Sequence, residues 1–256
     1  MVFALFRRKE QPDAPRVPDD AVVYAIGDVH GCLDLLQKLE REIADDMARR
    51  KASRRVVVYL GDYIDRGPDS RGVIEHLSTR PLPGCESVHL AGNHDRWLLD
   101  FLDDPGQGHA WLMNGGRATL ASYGVGDVAK ESRRQELQGL RDALDRVLPA
   151  HHRTFLQGLA YCHEEGDYFF AHAGVRPDVP LAEQEPADLL WIREEFLYSD
   201  ADFGKVVVHG HTPTHTPEEY KNRIGVDTGA FMSNRLTALV LEGAKRRFLY
   251  AQVGGF

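Results

Sequence analysis

Five times along this chain an apolar run that reads as a strand leads into a glycine-containing turn carrying a side chain able to hold a metal ion or a proton. The segments are Gly27-Asp28-Val29-His30-Gly31, Gly61-Asp62-Tyr63-Ile64-Asp65-Arg66-Gly67, Gly92-Asn93-His94-Asp95, His172-Ala173-Gly174 and His209-Gly210-His211-Thr212-Pro213. Strand ends meet along one edge of a sheet, so side chains distant in sequence can converge there. Glycine lets the backbone turn sharply and come close to a ligand without a Cβ in the way. One Gly-Asp at a strand end is ordinarily a turn. Five segments with matching donors point to a single site.

The residues between these turns fit an α/β chain. Ala21 to Asp28, Arg55 to Asp62 and Ser87 to Asn93 are β-branched apolar runs of the kind found in strands buried on both faces. Leu33, Leu36, Leu39, Ile43 and Met47 recur at helical steps, and a segment from Pro68 turns Val73, Ile74 and Leu77 inward. Leu98 to Leu102 extends the middle helices, and Leu137, Leu140, Leu144 and Leu148 form a stripe that Pro149 ends. The latter half reads as β-rich: Asp167 to His172, Lys205 to His209, Ile224 to Asp227, Leu236 to Leu241 and Arg246 to Gln252, with turns at Gly166-Asp167 and Glu242-Gly243. Residues 1–20, with three prolines and no apolar period, are expected to form a flexible N-terminal arm, and residues 21–256 one catalytic domain.

Composition narrows the function. Hydrophobic residues make up 43% and charged residues 27%, an ordinary globular balance. A net charge of −8 gives no field attractive to nucleic acid or acidic lipid. Cys32, Cys85 and Cys162 are odd in number and lack paired spacing, so no disulfide framework is expected. The start, MVFALFRRKE, has its charge after its apolar run, the wrong order for a secretory signal, and no run is long enough to span a bilayer. A cytoplasmic protein with neither membrane nor nucleic acid as partner is the expectation.

The donors are carboxylates, imidazoles and an amide, with no thiolate. That set suits Mn, Fe or Zn in a reactive centre and is unlike a cysteine-rich structural zinc site. Asp28 and His30 stand two apart, so an extended strand end would project both to one side. Asp62 is the natural bridge, because one carboxylate can offer an oxygen to each of two cations. Two cations about 3.5–4 Å apart can share a hydroxide at neutral pH and clamp a phosphoryl group.

GDVHG, GDYIDRG, GNHD, HAG and GHTP together resemble the motifs of calcineurin-type metallophosphoesterases, and most of all the bacterial and phage branch of the metal-dependent serine/threonine protein phosphatases. The likeness runs from about Asp28 to His211, with GDYIDRG its most specific part. The resemblance implies a sandwich of two mixed β-sheets flanked by helices. It implies two divalent metal ions, Mn first with Fe or Zn as options: Asp28, His30 and the bridging Asp62 hold one, and Asn93, His172 and His211 complete the other. His94 becomes the general acid, oriented by Asp65, while Arg66 grips phosphate and Arg193, in Leu190-Trp191-Ile192-Arg193, is the candidate second arginine. The alternative for Arg193 is a surface pair with Glu194 or Glu195.

The implied reaction is hydrolysis of a phosphomonoester by direct attack of a metal-bound hydroxide, on a phosphoprotein or phosphopeptide substrate. Two departures bear on the substrate. Animal and fungal members usually carry GNHE where this chain has GNHD, a change shared with dinucleoside polyphosphate hydrolases, and no match to the later loop that shapes protein-substrate contacts is found. Those hydrolases in turn generally lack the Asp65-Arg66 pair. The rival readings are a dinucleoside polyphosphate or other small phosphate-ester hydrolase, a nuclease, and a non-catalytic binding module. GHTP lacks the second histidine usual in nucleases, and a complete ligand set argues against a dead module. His209 and His89 read as structural, and the histidines outside the motifs, including His151 and His152, as solvated or structural.

Overall fold

Both faces of the first strand are buried, and this dictates the layering. The computed structural model describes residues 14–126 and 133–253. In β1 (Ala21–Ile26) every residue is buried, and successive side chains point to opposite faces. Val23 and Ala25 enter a core between two sheets, whereas Val22, Tyr24 and Ile26 enter a second core beneath helices. A continuous apolar run is thus what a strand needs in the middle of four layers, and helices flank the pair of sheets on both sides.

The first sheet holds β2 (Arg54–Tyr59), β3 (Glu86–His89), β9 (Arg235–Glu242) and β10 (Lys245–Gln252) around β1, in the order β10-β9-β1-β2-β3. β1, β2 and β3 run parallel, and β9 pairs antiparallel with both β1 and β10. The second sheet is β4-β5-β6-β8-β7, from β4 (Cys162–Glu165), β5 (Tyr168–Ala171), β6 (Val206–His209), β7 (Glu218–Glu219) and β8 (Arg223–Gly225). Its centre, β5-β6-β8, is parallel, and both edges are antiparallel. The expected pair of mixed sheets flanked by helices is therefore the fold found.

α1 (Leu33–Ala48) and α2 (Ser70–Thr79) are the crossovers of the first sheet, and α3 (Asn93–Asp103) follows β3. The Asp69 side chain caps α2 by accepting from the Gly72 N–H at 2.8 Å. The leucine stripe lies on the helix Arg133–Val147, with Leu137, Leu140 and Leu144 buried as expected. On the far side, Phe169, Ala171 and Val207 of the second sheet pack against Leu189, Ile192 and Phe196. Among the described residues no helix is long and apolar enough to cross a membrane.

Three expectations need correction. The arm assigned to residues 1–20 lies outside the described residues up to 13, but residues 14–20 are not loose. Val17 is buried, its N–H donates to Gly243 O, and the Arg16 N–H donates to Asp167 Oδ2. The strands also stop sooner than their apolar runs: β1 ends at Ile26, β2 at Tyr59 and β3 at His89. Asp28 and His30 consequently sit in a turn, with His30 at φ 45°, so strand alternation is not what brings them together. Finally, β4, β7 and the short helices Pro186–Trp191, Glu194–Leu197 and Ala230–Ser233 are too short or too polar to have shown an apolar period.

Candidate metal centre

All the parallel strands deliver their carboxyl ends to one rim. There β1 leads to Asp28, β2 to Asp62, β3 to Asn93, β5 to His172 and β6 to His211. Among the described residues, the non-glycine positions with positive φ are His30, Asp62, Asp65, Arg66, His211, Asp178 and Asn234, and the first five belong to this rim. Left-handed backbone costs energy outside glycine, so the surrounding structure must hold these turns in place. Close approach explains two glycines. A Cβ on Gly92 would lie 2.1 Å from Asp62 Oδ1, and one on Gly210 would lie 2.1 Å from Asp28 Oδ1.

Asp62 stands between two groups of donors. Its Oδ2 is 3.4 Å from His30 Nε2, and its Oδ1 is 3.5 Å from His172 Nε2. His172 and His211 form one cluster with Asp62, while His30 and His94 form another. Tautomers follow from the backbone: His30 Nδ1–H donates to Ile64 O at 2.8 Å, and His172 Nδ1–H to Leu60 O at 2.9 Å. Both Nε2 lone pairs are thereby turned inward. His172 Nε2 then faces Asn93 Oδ1 at 3.0 Å, two acceptors in contact, an arrangement that a cation resolves. His211 Nε2 is buried with no hydrogen-bond partner. The Asp28 carboxylate accepts the His211 N–H at 3.1 Å, which ties the first turn to the last.

Electrostatics point the same way. Burial, then the nearby Asp227 and Asp62, push the Asp28 carboxyl well above its usual range. Burial alone would raise Asp62 as well, but the imidazoles of His172, His94, His30 and His211 hold it below the ordinary carboxylate range. Burial lowers His30 to about 3, so its ring is neutral and free to donate a lone pair. Buried carboxylates and neutral imidazoles around a shared aspartate fit divalent cations.

α3 begins at the rim, and its first turn sends three side chains to three tasks. Asn93 meets His172. His94 Nδ1–H donates to Asp65 Oδ2 at 2.6 Å. Asp95 turns back to the preceding loops, accepting from the N–H groups of Asp62 at 2.8 Å, Gly92 at 2.9 Å and Tyr63 at 3.0 Å. Asp65 is itself fixed by Trp111 Nε1–H at 2.8 Å and the Thr119 hydroxyl at 2.5 Å. Arg66 spans the mouth, with Nη1 2.9 Å from His30 Nε2 and Nη2 3.0 Å from His94 Nε2, its guanidinium over the Phe231 ring.

Every candidate named from the sequence reaches this rim. Arg193 is exposed and donates to Thr212 Oγ1 at 3.3 Å, beside His211. Neither alternative partner takes it: Glu195 pairs with Arg176 instead. His209 turns away, with its ring edge-on to Phe196, and His89 stacks on Tyr59. Sequence reading missed Asp227 and the positioning part of Asp95. Asp227 follows β8 as the candidate ligands follow their strands and lies near Asp28, and burial raises its carboxyl to about 6. Its signal was present in Gly225-Val226-Asp227, a further strand run ending in a carboxylate. Trp97 and Trp191, whose rings touch each other and reach His94 and His211 respectively, were also unforeseen.

This sheet-edge centre has sequence relatives. The calcineurin-like phosphoesterase family matches residues 21–236, and the chain belongs to it. A protein of Salmonella typhimurium named serine/threonine-protein phosphatase 1 is 30% identical over 224 residues, covering 84% of this chain and 89% of that one. A protein of Oceanobacillus iheyensis named bis(5'-nucleosyl)-tetraphosphatase PrpE is 25% identical over 236 residues, covering 83% and 86%. The crystal structure of a candidate diadenosine tetraphosphatase superposes with a TM-score of 0.61 at 22% identity, covering 94% of this chain and all of the other, and supports the fold.

Proposed function

We propose that the chain is a two-metal phosphomonoesterase acting on phosphoserine and phosphothreonine in proteins. The observation that carries the reading is Asp62, 3.4 Å from His30 on one side and 3.5 Å from His172 on the other. Asp28 and His30 would hold one cation with Asp62; Asn93, His172 and His211 would hold the second with the same carboxylate. Manganese suits these donors, and iron or zinc can take the same set. Such a pair supplies an activated water at neutral pH and neutralises charge on the phosphoryl group.

The chain's own residues do the rest. Arg66 already bridges the metal side at His30 and the proton side at His94, where a phosphate oxygen needs a planar cationic fork. Arg193 closes on the same phosphate from the Thr212 side. His94 is a proton donor and not a ligand: Asp65 engages its Nδ1, and its Nε2 lies 4.0 Å from Asp62 Oδ2, farther than His30 does. The buried Asp65 carboxylate, held at Nδ1, orients the ring and aims Nε2 at the departing oxygen.

Cleavage of dinucleoside polyphosphates is the second reading, favoured by the name of the Oceanobacillus relative. Asp65 and Arg66, in contact with His94, support the first. The test compares phosphopeptides, diadenosine tetraphosphate and an aryl phosphate on protein stripped of metal and reloaded. Chelation is expected to abolish activity, Mn to restore it better than Mg, and phosphopeptide to show the highest kcat/KM. A higher kcat/KM on the dinucleotide selects the second reading, and full activity in metal-free protein ends both.

A further inference from the structure

A separate set of metal-ligating side chains lies where α2 meets the helix Ala150–Gln157. His151 Nε2 is 3.0 Å and His152 Nε2 2.9 Å from the same atom, Glu75 Oε2. These contacts are shorter than the 3.4 and 3.5 Å that separate Asp62 from its flanking histidines in the main centre. The two rings are adjacent in sequence and nearly perpendicular, at 78° with centroids 4.5 Å apart, so their Nε2 atoms converge on one point. His152 is fully buried and fixed, because its Nδ1 meets the Tyr123 hydroxyl at 2.8 Å. Glu75 and His151 are about half exposed, which leaves a path from solvent and room for water as a fourth ligand.

We propose that Glu75, His151 and His152 form a third divalent-metal site, of the two-histidine, one-carboxylate type that takes zinc. Zinc bonds of about 2.0–2.1 Å in tetrahedral geometry put neighbouring donor atoms roughly 3.3–3.4 Å apart, so each of the two contacts to Glu75 Oε2 has to open by only a few tenths of an ångström, and all three donor atoms already lie within 4.8 Å of one another. No proton has to leave the protein. Each imidazole moves its N–H from Nε2, where it now donates to Glu75, to Nδ1. For His152 the Tyr123 oxygen then accepts that N–H, the outer contact that orients a metal-binding imidazole. Arg71, the nearby cation, opposes the metal, and the Glu75 carboxylate offsets it. The bound ion pins α2 to the helix Ala150–Gln157. Because α2 begins at Ser70, whose Oγ accepts the Asp65 N–H at 3.0 Å, the new site braces the element behind Asp65 without touching the reacting groups.

The site is tested on the full chain by equilibrium dialysis against buffered zinc at neutral pH, with elemental analysis of the bound metal. The double variant Glu75→Gln/His151→Ala is expected to bind one equivalent less than the wild type, with unchanged phosphatase activity when supplied with Mn. Tyr123→Phe is expected to keep that equivalent with about 10–100-fold weaker affinity. The readout is a difference, so it stands whatever the main centre holds and whatever substrate is cleaved. Equal zinc content in the wild type and the double variant overturns the proposal, as does loss of two or more equivalents, which would trace the change to the main centre.

Discussion

The Asp95 carboxylate holds the backbone of Asp62 in place: Oδ2 accepts the Asp62 N–H at 2.8 Å, and Oδ1 accepts the next N–H, from Tyr63, at 3.0 Å. A third bond, from Gly92 N–H to Oδ2, joins the β3 turn to the same carboxylate. The aspartate in GNHD is therefore a clamp between the loops that carry Asp62 and Asn93. Burial, then the nearby Asp62, push its carboxyl well above the usual range, and the N–H groups of Gly92 and Tyr63 oppose that shift.

Asp95→Asn should therefore fail twice. The amide keeps one acceptor oxygen and turns an NH2 toward donors, leaving buried N–H groups unpaired. The expected loss is about 2–4 kcal/mol of stability, with weaker metal retention. Denaturant midpoints and metal content of the purified variant measure both. A variant with wild-type midpoint and full metal content shows that the clamp is dispensable.

Asp62→Asn should reduce activity more than His211→Ala does, because its carboxylate faces both donor groups while His211 faces one. Metal content should fall at both positions in Asp62→Asn and mainly at one in His211→Ala. Two metals retained with near-normal turnover in Asp62→Asn would mean that Asp62 does not bridge.

Much of this candidate centre was legible because the residues proposed as ligands follow strands, and strands announce themselves. Asp28, Asp62, Asn93, His172 and His211 each close an apolar run, so their convergence needed only a sheet edge. What was not legible depends on loops. His30 reaches Asp62 through a left-handed turn, where alternation gives no guide. Trp111 and Thr119 reach Asp65 from 46 and 54 residues away, through helices that carry no motif. Asp227 was missed for a different reason: the run Ile224 to Asp227 read as a strand, but the carboxylate that ends it stood alone beyond the named motifs. His151 and His152 read as solvated because nothing in sequence ties them to Glu75, 76 and 77 residues earlier.

Stability should carry a signature of His89. Burial lowers its imidazole from 6.5 to about 4, so the folded protein favours the neutral ring. The corresponding stability is fully present above pH 6.5 and is lost as the pH falls from there toward 4, at most about 3 kcal/mol. His89→Phe keeps the stacking on Tyr59, whose ring centroid lies 4.7 Å away, and has no proton to bind. Unfolding free energies of metal-free protein between pH 7 and 4 should thus fall less steeply in His89→Phe. Parallel curves would place the low-pH loss on other groups.

His94 offers the sharpest test of the chemistry. Its Nδ1 is held by Asp65 at 2.6 Å, and its Nε2 faces the mouth beside Arg66. A proton delivered from Nε2 matters most when the departing oxygen is a strong base, as in a serine alkoxide. General-acid help is typically worth about 10²–10⁴-fold, or roughly 3–5 kcal/mol of barrier. An activated aryl phosphate leaves as a stabilised phenolate and needs far less. His94→Asn should slow phosphopeptide hydrolysis much more than aryl phosphate hydrolysis, with metal content unchanged. Asp65→Asn should show the same pattern more weakly, since the ring remains but loses the carboxylate that aims it. If His94 only positions phosphate, both substrates should slow by a similar factor. Equal losses on the two substrates, with metal still bound, would remove His94 from the proton-transfer step and leave its hydrogen bond to Arg66 as its contribution.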